Sequence, residues 1–161
     1  MLNKLSNENY NYINRLRVRN FRAHNDIRFE PGNASVLILG SNGVGKTSIL
    51  EAISIFSYGK GIRNAKFYDM INKDKKEFLI DLDLNIREDF ILEYQTSYNK
   101  LDRSRRVIIN NKEITAKHSR KTIPMLCIAP YTEKIFTGSA MLRRNFLDKL
   151  VDIFDSDHSA R

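Results

Sequence analysis

The chain of 161 residues is short enough to build one domain, and its 27 Lys+Arg against 19 Asp+Glu give a formal charge of +8 and a pI near 9.6, which favours a polyanionic partner. A single cysteine, Cys127, excludes an internal disulfide framework and suits a reducing, cytoplasmic setting, where it reads as a buried thiol in an apolar run. No segment approaches the ~18 consecutive apolar residues of a membrane helix, and His24, His118 and His158 are scattered without metal-ligand spacing.

In chain order, residues 1–14 are polar and Asn-rich and read as a leader without a secretory pattern. From Ile13 to Phe21, apolar Ile13, Leu16, Val18 and Phe21 run against Arg15, Arg17 and Arg19, which predicts a strand with one buried and one basic face. Ile27-Arg28-Phe29 reads as its hairpin partner, and Glu30-Pro31-Gly32-Asn33 as a turn. Val36-Leu37-Ile38-Leu39 predicts a fully buried strand.

Next comes Gly40-Ser41-Asn42-Gly43-Val44-Gly45-Lys46-Thr47, which matches GxxxxGKT, and a helix with apolar Ile49, Leu50, Ile53 and Phe56. Strand, glycine loop and helix are the setting of a phosphate-binding loop. Glycines let successive backbone N–H groups turn inward around phosphate oxygens, and the helix N-terminus adds its positive dipole end. In that chemistry Lys46 meets the β and γ phosphates, and the Thr47 hydroxyl takes a Mg²⁺ position.

Tyr58 to Arg63 ends the helix in a basic loop, where Lys60, Arg63 and Lys66 are candidates for an anion site. Phe78, Ile80, Leu82, Leu84 and Ile86 alternate strictly, Phe90 to Tyr94 returns, and Arg105–Ile109 turns through Asn110-Asn111 to Glu113-Ile114-Thr115. The middle is therefore expected to be antiparallel β structure. Asp81 falls in mid-strand and is expected to face outward rather than to serve Mg²⁺. Asn99-Lys100-Leu101-Asp102 spells NKxD without the apolar strand a guanine-reading motif needs, and is read as coincidence.

Lys117, Arg120 and Lys121 form a basic connector, followed by a buried-strand candidate from Met125 to Ala129. Ser139 is a predicted N-cap for a helix with Leu142, Phe146, Leu147, Leu150 and Phe154 on one face. Arg143 and Arg144 lie in its first turn, where cations oppose the helix dipole, so an anion or carboxylate is expected to offset them.

Four stretches together resemble the RecF family, whose members are ATPases related to SMC and ABC-type heads. They are Leu16-Arg17-Val18-Arg19-Asn20-Phe21-Arg22, the loop and helix start Gly40 to Ala52, Tyr58 to Arg63, and Ala129-Pro130 with Gly138-Ser139 through Asp148. The resemblance covers Leu16 to Asp157. It implies an α/β P-loop NTPase fold of the ABC/SMC head type, an incomplete one whose first lobe carries an antiparallel β subdomain, over residues 15–161.

It also implies ATP and Mg²⁺ as cofactors and Arg22 near the phosphates; Lys60, Arg63, Arg143 and Arg144, read from the loop and the helix start, are the candidate DNA-binding residues. As partners it implies DNA at single-strand/double-strand junctions, RecO, RecR and an ATP-dependent second head, in DNA recombination, repair, replication and the SOS response. Tyr131 replaces a family glutamate, and the family's signature segment and second carboxylate strand lie beyond residue 161. Nucleotide binding without efficient turnover is therefore the expectation. Two competing readings are a small P-loop kinase, with Arg103 to Arg106 as its lid, and a basic interaction module with a vestigial loop.

Overall fold

The computed structural model describes residues 11–58, 60–86, 90–115, 123, 125–128 and 137–154. Along the chain run β1 (Tyr12–Phe21), β2 (His24–Phe29), α1 (Lys46–Tyr58), α2 (Phe67–Met70), β3 (Glu77–Ile86), β4 (Phe90–Asn99), β5 (Ser104–Ile109), β6 (Lys112–Glu113) and α3 (Ala140–Phe154). The strands form one sheet in the order β2-β1-β3-β4-β5-β6, each antiparallel to its neighbours. β1 begins at Tyr12, inside the stretch read as a leader.

Two-residue alternation decides the two faces of the sheet. Val18 of β1, Phe78, Ile80 and Leu82 of β3, Thr96 of β4 and Val107 of β5 are buried with Ile49, Ala52, Ile55 and Phe56 of α1. Ring contacts tie these elements together: Phe21 meets Phe78 edge-on at 5.2 Å, and Phe56 of α1 meets Tyr94 of β4 at 4.5 Å. Leu50, expected on the inner face of α1, is instead exposed, because the buried stripe runs through Ile49, Ala52 and Phe56. At the β5–β6 turn, Asn110 and Asn111 both take positive φ (46° and 63°), as a two-residue hairpin of the primed type requires.

The outer face of β1 is basic in sequence but not in charge. Arg15 grips Asp83 through two hydrogen bonds of 2.7 and 3.2 Å, Arg17 grips Asp26 at 2.7 and 3.0 Å, and Arg19 donates to Asp81 at 2.9 Å. Hydrogen bonding to these carboxylates raises the pKa of Arg15 and Arg17, and Arg17 in turn holds the Asp26 carboxyl below its ordinary range. Asp81 also accepts from Gln95 Nε2 at 2.6 Å. It therefore faces outward, as its mid-strand position foretold.

Two strand expectations fail. Residues 36–39 form no strand, and Val36, Leu37 and Leu39 are 57%, 79% and 79% exposed. A strand buried on both faces needs paired neighbours and a layer above and below; among the described residues none pairs with this segment. Residues 125–128 likewise form no strand, with Leu126 and Ile128 exposed and Cys127 half-buried rather than buried. Ala129 and Pro130, the connector residues Lys117, Arg120 and Lys121, and Tyr131 lie outside the described residues.

The third helix forms where its N-cap placed it. Leu142 N–H bonds both the Ser139 carbonyl (3.1 Å) and the Ser139 Oγ (3.4 Å). Its apolar stripe is only partly covered among the described residues, with Leu142 and Leu147 exposed and Phe146 and Leu150 half-buried.

Truncating Phe78 removes a fully buried ring touching Phe21 and Phe67. Phe78→Ala is expected to lower unfolding free energy by about 3–5 kcal/mol, read from the urea midpoint at unchanged slope.

Candidate nucleotide site

The site is built from the β1–β2 turn, the glycine loop and the start of α1. In the loop, Gly43 and Gly45 take φ of 87° and 102°, open to glycine and strained for other residues. A Cβ on Gly45 would stand 2.5 Å from His24 Nε2, so a side chain there would have to displace the His24 ring as well as adopt a strained backbone. The Lys46 ammonium arches back over the loop and donates to the carbonyls of Gly40 (2.6 Å) and Ser41 (2.8 Å). Its charge is thus centred on the loop.

The first helical hydrogen bonds run from Ser48 and Ile49 N–H to the Gly45 carbonyl. Among the described residues, the amides of Gly45, Lys46 and Thr47 find no backbone acceptor. The first turn of α1 carries no acidic side chain, and Thr47 is exposed. Free donors, a positive dipole end and an ammonium therefore share one small volume, with no carboxylate in the first helical turn to compete. That set suits phosphate oxygens, and a hydroxyl at Thr47 suits a hard cation bridging them.

The β1–β2 turn leans on this loop at two points. His24 Nε2 lies 3.1 Å from the Gly45 carbonyl and donates to it in the tautomer with its proton on Nε2. Arg22 adopts φ of 52°, uncommon for a non-glycine residue, with its N–H on the Met70 carbonyl at 2.7 Å. Its guanidinium clasps the Glu51 carboxylate through Nε (2.9 Å) and Nη2 (2.8 Å), while Nη1 donates to the Asp69 carbonyl at 2.6 Å. Arg63 reaches the same carboxylate at 3.4 Å from the loop after α1.

Glu51 is fully buried, so it depends on these two guanidiniums for its charge. Ser54 extends the polar strip, donating to the Glu51 carbonyl at 2.7 Å and accepting from the Ile62 N–H at 2.9 Å.

Of the residues singled out from sequence, the structure brings together Gly40 to Thr47, while the Arg22 guanidinium engages Glu51 and the Asp69 carbonyl rather than the loop. Arg63 shares that carboxylate, and Lys60 is exposed in the same loop. Arg143 bonds the Gly138 carbonyl at 2.9 Å, which offsets its unfavourable place in the first turn, and Arg144 is exposed. NKxD is the β4–β5 turn, with Leu101 N–H on Asn99 Oδ1 at 2.8 Å. The imagined lid is no lid, because Arg105 donates to Thr96 Oγ1 and the Ile55 carbonyl and lies over the Phe67 ring.

Sequence reasoning did not pick out Glu51 or His24. The available signal for Glu51 was a charge on the buried stripe of α1, between Ser48 and Ile55. His24 carried no local signal.

The sequence matches the family described as AAA domain over residues 15–149. It is 32% identical over 148 residues to the DNA replication and repair protein RecF of Rickettsia massiliae and 31% identical to that of Rickettsia bellii, covering 92% of this chain and 41% of each relative. Solved structures of the recombination mediator protein RecF, with ATPrS and with ATP, superpose with TM-scores of 0.82 at 21% and 20% identity. They cover 91% and 93% of this chain and 40% and 41% of theirs, so the chain spans about two-fifths of the proteins it matches.

Replacing Glu51 by Gln leaves two guanidiniums facing a neutral amide. Because both reach solvent, the expected loss lies at the low end for a broken buried pair, about 3 kcal/mol in chemical denaturation.

Proposed function

Because the chain belongs to the AAA domain family and is homologous to RecF, we propose that it is the nucleotide-binding part of a RecF-like protein of recombinational DNA repair and replication. The observation that supports this most is the convergence of the free α1 amides, Lys46 and the glycine backbone at a helix start without an acidic side chain. In this reading the ligand is ATP. Lys46 exchanges the Gly40 and Ser41 carbonyls for β and γ phosphate oxygens, the amides of Gly43 to Thr47 hold the remaining oxygens, and Arg22 stands beside them. Thr47 would hold Mg²⁺, which when bound neutralises phosphate charge.

Two further elements of the proposal are a DNA partner, at junctions of single and double strand, and ATP-dependent pairing of two heads with RecO and RecR as mediators in the cytoplasm. Among the described residues no helix is long and apolar enough to cross a membrane. Lys60, Arg63, Arg143 and Arg144 are the DNA contacts proposed from the sequence. A small metabolite kinase is not favoured: the sheet is antiparallel where a kinase would want neighbouring parallel strands, and Asp81 lies on the face turned away from α1.

Lys46→Ala is expected to abolish Mg·ATP binding in isothermal titration while leaving the thermal midpoint unchanged without nucleotide; unaltered affinity would refute the site. Reversing charge at Arg143 and Arg144 together is expected to weaken DNA binding at low salt, with Mg·ATP affinity unchanged.

A further inference from the structure

The net charge of +8 does not come from the sheet face, where the β1 arginines are each paired with a carboxylate. A group of exposed cations lies instead at one end of the sheet. The Asn72 N–H bonds the Asn20 carbonyl at 2.7 Å and Phe21 bridges to Ile71, so the loop over residues 72–76 lies against the end of β1. Glu77 pairs with Asn99, and the Lys100 N–H bonds the Lys76 carbonyl at 2.8 Å, which brings the β4–β5 turn alongside that loop. The same end carries the β1–β2 turn that touches the glycine loop through His24.

Lys73, Lys75, Lys76, Lys100 and Arg103 are thereby collected on one exposed ridge from two segments of the chain. Among the described residues none of the five forms an ion pair; Lys100 instead lies 4.6 Å from the centre of the Tyr68 ring. The acids within the ridge are Asp74 and Asp102, both exposed, while Glu77 at its margin accepts from Asn99 Nδ2 at 3.1 Å.

From this juxtaposition we propose that the ridge is a second contact surface for the DNA phosphate backbone, distinct from Arg143 and Arg144. It rests on the DNA-binding reading above. Four of its cations are lysines, which act as flexible point charges rather than as a fork for one planar anion. Separated point charges from two loops fit a linear array of phosphates, and they supply position and affinity without reading bases. The ridge shares its end of the sheet with the β1–β2 turn, which touches the glycine loop through His24.

The test uses a fluorescein-labelled duplex with a single-stranded overhang, titrated with the full chain and read by anisotropy across a salt series. The wild type is compared with Lys73→Ala/Lys75→Ala/Lys76→Ala and, independently, with Arg103→Ala; circular dichroism and Mg·ATP titration confirm that each variant is folded and loads nucleotide. Three phosphate contacts carry a slope of about 2.7 in log affinity against log salt, so between about 50 and 200 mM salt the wild type is expected to lose roughly 40-fold more affinity than the triple variant. Arg103→Ala is expected to reduce the slope by about 0.9. A triple variant with wild-type affinity and slope overturns the ridge while leaving DNA binding in place. A wild-type chain that binds no DNA at low salt overturns the DNA-binding reading itself.

Discussion

The carboxylate of Glu51 is the constraint around which the rest of the site is arranged. It is fully buried in α1, and an unpaired charge there would cost several kcal/mol. Arg22 answers with a two-pronged contact, and to do so its backbone turns into the left-handed region at the end of β1. Arg63 closes the third side, and Ser54 fixes the loop that carries it. One charge thus joins the β1–β2 turn, the phosphate-loop helix and the loop after it. The His24 contact with Gly45 adds a second point of support, so the glycine loop is held by the sheet on one side and by its own helix on the other.

Pairing is what separates the two basic regions of the molecule. On the outer face of β1, sequence alternation places three arginines in a row, and the antiparallel register sets Asp26, Asp81 and Asp83 within their reach. Those contacts stiffen the face and cancel its field. At the loop end, lysines face solvent without such partners among the described residues, so the field there extends outward. A composition of +8 cannot distinguish these cases, because it counts residues and not distances.

The apolar segments tell a related story. Phe78, Ile80 and Leu82 are buried as their alternation required, because β1 and β4 flank them and α1 covers one face. Val36, Leu37 and Leu39 carry the stronger hydrophobic signal and remain exposed, since no described strand pairs with them. The stripe of α3 has its cap in place and Leu142 and Leu147 in solvent. A run of apolar residues states that a segment gains by being covered, but the covering layer is not written in the run.

By itself, then, the sequence determined whatever depends on neighbours along the chain. The positive-φ glycines of the loop, the alternating faces of the antiparallel strands, the Asn110-Asn111 turn and the Ser139 cap all act over a few residues, and all are present as read. Only the tertiary structure decided which charges meet. Arg22 and Glu51 are 29 positions apart, and Arg15 and Asp83 are 68 apart. Electrostatic pairing over such separations depends on strand register and on the seat of a helix against a sheet, and it falls away within a few ångströms, so no local pattern can announce it.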